Sequence, residues 1–186
     1  MIFLNDSINL DSISQQLIKR LPQNLTTASD GIWTKDIADG LYGIGNEAEG
    51  KFHICCHGSK EQGEWLLDLI WMVSKDWRTV LAVESEWGSK IGAIQEDFGK
   101  LMSIKARHKL LFFKARDQAH ADEIMKDAVV SLMEAYPYHL AGEEYMTIGR
   151  TSQGAFRYRF DVRGDGRLNS VQFNQMGAPL PWPWAT

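Results

Sequence analysis

The sequence lacks the features of secreted and membrane-spanning chains. Its only two cysteines, Cys55 and Cys56, are adjacent, and neighbours on an extended chain point to opposite sides, which excludes a disulfide framework. A chain without structural disulfides favours a reducing, cytoplasmic location. No apolar run approaches the roughly 20 residues that span a bilayer, and the segment from Met1 to Asn9 contains no Lys or Arg. We therefore expect neither a signal peptide nor a membrane segment.

The chain also lacks an excess of basic residues, an internal repeat and a low-complexity linker. With 186 residues and a formal net charge of -4, it is predicted to be a single domain, 1–186, without bulk attraction to nucleic acid or to an anionic membrane. Hydrophobic residues at 44% and charged residues at 24% are typical of globular proteins and exclude a disordered chain. A phosphate-bearing partner would therefore have to bind at a local site.

Hydrophobic periodicity predicts an α/β (α+β) fold with a mixed central sheet flanked by helices. The core is predicted over 51–136, and further strands and a tail over 143–186 form an extension. The first predicted helix, over 11–21, is capped by Asp11 or Ser12, and the second, over 34–49, is broken by Gly40, Gly43 and Gly45. Further helices are predicted from 91 and over 119–136. Strands are predicted within 51–58, 64–72 and 79–87 and over 108–113, 144–149, 155–163 and 167–173.

Charge enters the two most apolar predicted strands at three carboxylates. Asp68 lies among aliphatic residues in EWLLDLIWM, and Glu84 and Glu86 follow the aliphatic run of VLAVESEW. If these strands pair as a hairpin with its turn centred near Asp76, Asp68 lies opposite Glu84. The same register places Leu66 opposite Glu86.

Carboxylates that cluster on a half-buried strand pair need either protons or a cation. Like charges at about 5 Å destabilise a sheet. The group would therefore have raised pKa values or bind a hard divalent ion, Mg²⁺ or Mn²⁺. The alternative is that all three acids face solvent at a sheet edge, although the apolar remainder of both strands is typical of central strands.

These residues, together with the D-F-x-K-L sequence on the following predicted helix, resemble the PD-(D/E)XK nuclease superfamily, which has the restriction-endonuclease-like fold. The resemblance covers roughly residues 51–115. It implies that Asp68 is the motif aspartate, that Glu84 is the first acid of the third-strand pair, and that both bind Mg²⁺ or Mn²⁺. Glu86 stands where most members have lysine, and Lys100 is similar to a lysine relocated to the next helix. The implied catalytic residues are thus Asp68, Glu84, Glu86 and Lys100.

The sequence departs from the family's pattern and leaves the inward lysine open. No Pro precedes Asp68, no lysine stands at position 86, and the acid of the first helix is unassigned, although Glu47 is a candidate. On the helix after Glu86, Lys105 falls within the apolar stripe and Lys100 lies off it, so Lys105 is the alternative inward amine. The structural alternative for Lys100 is an ion pair with the aspartate of D-F-G-K-L one turn earlier.

Two other patterns suggest ligand binding. Four residues of FHICCHG look like zinc ligands: His53, Cys55, Cys56 and His57. Alternation on a strand turns Cys56 away from the other three, and no second Cys/His cluster completes a tetrahedral site, so zinc is disfavoured.

Late in the chain, arginines alternate with aromatic residues. The predicted nucleic-acid contacts on this basic stretch are Arg157, Arg159, Arg163 and Arg167. The alternative is a solvated strand face opposite a core face.

The sequence therefore predicts a metal-dependent nuclease, a hydrolase of phosphodiester bonds with DNA as its partner, or a relative that keeps the acidic site. The alternative function is a non-catalytic module on the same fold. Such a module would bind DNA, a protein partner or a second copy of itself through aromatics and the tail LPWPWAT.

Overall fold

The computed structural model describes residues 3–4, 7–21, 30–48, 50–56, 66–88, 90–151 and 154–162. The predicted strand over 167–173 and the tail lie outside these residues, as do His57, Arg163 and Arg167. In chain order the elements are β1 Phe3–Leu4, β2 Ser7–Ile8, α1 Leu10–Arg20, α2 Asp30–Asn46, β3 Phe52–Cys56, β4 Leu69–Val73, β5 Thr79–Glu86, α3 Ile91–Ser103, β6 His108–Lys114, α4 Gln118–Ile124, a π-helical segment Met125–Val130, α5 Ser131–Ala135, β7 Glu144–Thr151 and β8 Gly154–Asp161.

Strands β3 to β8 form a six-stranded mixed sheet in the order of the chain, and β1 pairs separately with β2. Neighbouring strands of the large sheet are antiparallel except for β5 with β6 and β6 with β7, which are parallel. A parallel pair needs a crossover connection, and α3 and the helical run from α4 to α5 supply the two that are required. The predicted α/β mixed sheet is confirmed.

Helices cover both faces of this sheet. Helices α1 and α2 pack on one face against residues such as Trp71, Leu81 and Val83, and α3 to α5 pack on the other against Ala82 and Phe113. Because alternate residues of a strand point to opposite faces, Glu84 faces the α3 side with Ala82. None of the helices in the described ranges is long and apolar enough to cross a membrane.

Strands β4 and β5 pair in the predicted register. Leu69 faces Val83 and Trp71 faces Leu81, and a bulge follows between Trp71 and Met72. The register places the residue before β4 at the carboxyl end of β5, which is where the sequence analysis placed the acids.

The start of β4 corrects the prediction. The strand begins at Leu69, and residues 66–68 are bends. Leu66 is therefore not paired with Glu86, and it is 83% exposed. Asp68 lies one residue before the strand. The alternation of strand side chains between the two faces therefore does not fix the direction of its carboxylate.

The glycines of α2 do not break the helix, which corrects the predicted interruption. A Cβ on Gly45 would clash with Ile54 and lie 3.1 Å from the Trp71 ring, and a Cβ on Gly40 would clash with Leu17 of α1. These glycines therefore let α2 approach the sheet and α1 closely. Helix propensity is overridden here because the packing needs the space.

Two smaller boundaries also differ from the prediction. The N-cap of α1 is Asn9, whose side chain accepts a hydrogen bond from the Ser12 N–H at 2.9 Å, and not Asp11 or Ser12. The predicted helix over 119–136 contains the π-helical segment, which hydrophobic periodicity does not distinguish from an α-helix.

We expect Gly45→Ala to destabilise the protein by about 1 kcal/mol. The helix-propensity gain of about 1 kcal/mol is smaller than the cost of overpacking, about 1 to 3 kcal/mol. Gly99→Ala in α3 is the matched control, because no atom lies within 4 Å of its Cβ position. Chemical denaturation should show a lower midpoint for Gly45→Ala and an equal or higher one for Gly99→Ala. A stabilised Gly45→Ala would contradict the packing reason.

Candidate functional site

The candidate site lies at the carboxyl end of β5, where Glu84 faces α3. Glu84 is 3% exposed, and its Oε1 has no hydrogen-bond partner within the described residues. The Lys100 ammonium of α3 lies 2.6 Å from Asp97 Oδ1 and 3.6 Å from Glu84 Oε1, and the latter distance is too long for a hydrogen bond. The helix thus brings one more acid and one amine to the buried glutamate.

The Asp68 carboxylate is held beside this group by Ser85. Its Oδ2 accepts hydrogen bonds from the Ser85 N–H at 2.8 Å and from the Ser85 hydroxyl at 2.6 Å. The Ser85 hydroxyl lies 3.0 Å from Thr34 Oγ1, which accepts from Trp87 Nε1 at 2.9 Å. Because the Ser85 proton is given to Asp68, the Thr34 hydroxyl can donate either to Ser85 at 3.0 Å or to the Asp30 carbonyl at 3.5 Å. This chain of donors fixes Asp68 from the α2 side of the sheet.

The electrostatics of the site oppose the ionisation of Glu84. Burial, followed by the charges of Asp68 and Asp97, raises the pKa of Glu84 to about 8, and the Lys100 charge only partly offsets this. The hydrogen bond to Asp97 raises the pKa of Lys100, so this group stays cationic. Near neutral pH, Glu84 therefore keeps a proton unless a further cation compensates its charge.

The donor set fits a hard divalent cation. Mg²⁺ in proteins commonly binds through one or two carboxylates and keeps several waters, and Asp68 and Glu84 supply two carboxylates. A buried acceptor without a partner costs free energy, and a cation would remove that cost at Glu84 Oε1. Among the residues that the structure describes, no group of three or more His, Cys, Asp or Glu side chains could share a metal ion. Asp68 and Glu84 are the two carboxylates that could serve such an ion, and water would fill its remaining positions.

Of the predicted catalytic residues, three gather at this point and one is turned aside. Asp68, Glu84 and Lys100 interact as described above. The Glu86 carboxylate accepts a hydrogen bond from the Gly88 N–H and is partly exposed at the rim.

Two further predicted candidates lie elsewhere. Lys105 is exposed and follows the end of α3, so it is not an inward amine. Glu47 follows α2 and pairs with Arg20. It lies roughly 20 Å along the helix axis from Thr34, the α2 residue at the site.

The arginines of β8 within the described ranges make intramolecular contacts beneath α1. Arg157 is 7% exposed and donates to Ser14 Oγ at 3.1 Å. Arg159 pairs at 2.7, 3.1 and 3.0 Å with Asp11, Glu144 and Asp161 respectively. The aromatic residues between them are buried on the opposite face of β8. These contacts occupy both guanidinium groups within the fold.

The adjacent cysteines diverge as alternation on β3 predicts. Cys55 is buried in the core under α3, and Cys56 packs against the core under α2. In the described part of the chain they join no metal-ligand cluster.

The ion pair of Lys100 with Asp97, which the three-residue spacing predicts, is confirmed at 2.6 Å. Sequence reasoning missed the contributions of Ser85 and Thr34. Nothing in the sequence indicated that Thr34, 51 positions before Ser85, would reach it, because that contact depends on how α2 lies across the sheet.

Comparisons of this chain with protein-family models, with curated proteins and with solved structures find no match.

Proposed function

We propose that the protein is a Mg²⁺- or Mn²⁺-dependent nuclease that hydrolyses phosphodiester bonds in DNA. The observation that carries the proposal is the buried Glu84 carboxylate, which has an unpartnered oxygen between Asp68, Asp97 and the Lys100 ammonium. Such a group lowers the stability of the metal-free protein. The site is open to solvent through Lys100 and Glu86. A loss of folding stability at such a site is typical of functional sites.

Each residue has a distinct part in this proposal. A divalent ion bound here would supply a water of lowered pKa and neutralise charge on the phosphate. Glu84 and Asp68 would hold that ion, and the two hydrogen bonds from Ser85 orient the Asp68 carboxylate. Lys100, which is 42% exposed, donates a hydrogen bond to a phosphate oxygen or a proton to the leaving oxygen. The proton of the attacking water would pass to solvent, because Glu86 is turned aside at the rim and bonded to the Gly88 N–H.

The charge around the site favours a nucleic-acid substrate despite the net charge of -4. Because β5 and β6 are parallel, the residues after β6 lie at the same end of the sheet as Glu84. Lys114 and Arg116 are exposed at this end, and Lys114 lies 3.8 Å from Asp30 of α2. Cations that flank an acidic centre position the phosphates of a strand without reading its sequence.

The test is cleavage of plasmid DNA and of single-stranded DNA in the presence of Mg²⁺, Mn²⁺ or a chelator. We expect cleavage only with a metal, loss of cleavage in Asp68→Asn, and unchanged cleavage in Glu123→Gln, which alters an exposed glutamate of α4. Circular dichroism would verify that each variant folds. Equal nicking by the wild type and by Asp68→Asn would contradict the proposal. Metal-independent DNA binding without cleavage would favour the non-catalytic alternative.

A further inference from the structure

A second cleft lies at the opposite end of the sheet from the acidic site. It has a volume of about 580 Å³ and is lined by residues at the start of β5 and β6 and in the turn before β7. Thr79 at the cleft and Glu84 lie five residues apart on β5, so at about 3.3 Å per residue the two sites are roughly 17 Å apart. The nuclease proposal makes no use of this cleft.

The lining of this cleft is positively charged. Arg78, Lys105 and Arg107 contribute three cations, and Glu143 contributes the one carboxylate. That carboxylate is already bound by the buried Lys109 at 2.6 Å. The cleft therefore offers an excess of positive charge to a ligand.

The three cations are only weakly compensated by neighbouring acids. Arg78 lies 3.5 Å from Asp76, and Arg107 lies 3.8 Å from Glu144, and both arginines are more than half exposed. Exposed pairs at such distances contribute little. Lys105 is exposed and has no ion pair within the described residues. All three side chains can therefore reorient towards a bound anion at a small cost in free energy.

A buried imidazole also lines the cleft. His108 is 1% exposed, and its Nδ1 lies 3.4 Å from Glu144 Oε2 and interacts with that carboxylate. Its Nε2 has no hydrogen-bond partner in the described part of the chain. A buried polar nitrogen without a partner is rare and costly, and a ligand oxygen would satisfy it.

The remaining wall is apolar and includes Val80, Ala106 and Leu140, of which Leu140 is 53% exposed. A cleft of this volume matches small-molecule sites, which combine an apolar wall with a few convergent polar groups. We propose that it binds a small organic phosphate monoester. The phosphate meets the three cations and His108, and the organic part lies on the apolar wall. This inference does not rest on the nuclease activity, so either can fail without the other.

The experiment is calorimetric titration of the full-length protein with phenyl phosphate, inorganic phosphate and neutral benzyl alcohol. We expect phenyl phosphate to bind more tightly than phosphate, and benzyl alcohol not to bind. The double variant Lys105→Gln/Arg107→Gln should lower the affinity for phenyl phosphate at least about tenfold. The control Lys19→Gln/Lys126→Gln removes the same charge outside the cleft and should change affinity less than about twofold. In the wild type, phenyl phosphate should also shift the His108 imidazole signals in NMR spectra.

Three results would overturn the inference. The first is no binding of phenyl phosphate at about 1 mM, and the second is equal binding by the two double variants. The third is tighter binding of a 5′-phosphorylated single-stranded oligonucleotide that depends on Lys105 and Arg107, because it would assign the cleft to a nucleic-acid end and not to a small molecule.

Discussion

Glu84→Gln is expected to lower metal-dependent DNA cleavage by about 100-fold or more and, at the same time, to stabilise the metal-free protein above pH 7. Glutamine keeps the shape of the side chain but has no negative charge to hold a divalent ion. It also removes a carboxyl group whose ionisation in the fold is opposed by burial and by the charges of Asp68 and Asp97. Loss of activity with a gain of stability distinguishes a functional site from a structural one.

The pH dependence of stability follows from the same residue. Its pKa is about 8 in the folded protein against an ordinary value of 4.5. Below pH 4.5 both folded and unfolded states are protonated, and the contribution of Glu84 to stability is fully present. As the pH rises towards 8, only the unfolded state loses its proton, so this contribution is lost at about 1.4 kcal/mol per pH unit. The total loss is on the order of 5 kcal/mol.

Urea denaturation between pH 4.5 and 8.5, in a chelator, measures this effect. The wild type and Glu84→Gln should have similar stability at the acid end, and the variant should become progressively more stable as the pH rises. Glu123→Gln is the control and should follow the wild type at every pH. Parallel curves for the wild type and Glu84→Gln would show that Glu84 ionises normally in the fold.

Glu143→Met is expected to destabilise the protein by about 3 to 5 kcal/mol, because it leaves a buried lysine without its carboxylate. Lys109 is fully buried, and its Nζ lies 2.6 Å from Glu143 Oε1 and 2.9 Å from the Tyr145 hydroxyl. The Tyr145 hydroxyl and the Leu140 N–H donate to the other oxygen of Glu143 at 2.9 and 3.2 Å. Although burial tends to raise the pKa of Glu143, the His139 imidazole at 3.7 Å and the hydrogen bonds from Lys109 and Tyr145 outweigh it and lower the pKa.

A double variant distinguishes the stability lost with the ion pair from the stability lost with side-chain packing. Lys109→Met/Glu143→Met removes both charges and should recover at least half of the stability lost in Glu143→Met, because no unpaired charge stays buried. The exposed pair of Lys35 and Asp39 gives the control, and Asp39→Asn should change stability by less than about 0.5 kcal/mol. If the double variant were as unstable as Glu143→Met, packing and not the ion pair would explain the loss.

The sequence predicted the sheet well because its strands are short apolar runs separated by clear turns. The register of β4 with β5 followed from centring a turn near Asp76, and it placed Asp68 at the end of β5 beside Glu84. Alternation then put Glu84 on the α3 face. These inferences need only local periodicity and hairpin geometry.

Contacts between distant elements were beyond such reasoning. From the sequence, the glycines of α2 were predicted to break the helix. The structure shows that Ile54 and Trp71 leave no room for a side chain at Gly45. The alternating arginines of β8 indicated a basic strand face, but in the structure α1 covers Arg157, which donates to Ser14. Lys109 sits in an apolar strand, and its partner Glu143 is 34 positions later, so only the pairing of β6 with β7 brings them together.

Calorimetric titration of the metal-free protein with Mn²⁺ tests the proposed metal site most directly. A site made by Asp68 and Glu84 predicts saturable binding in the wild type and in Glu123→Gln, and loss of binding in Asp68→Asn and in Glu84→Gln. Absence of Mn²⁺ binding in the wild type, or equal binding in all four proteins, would contradict a metal centre at the carboxyl end of β5.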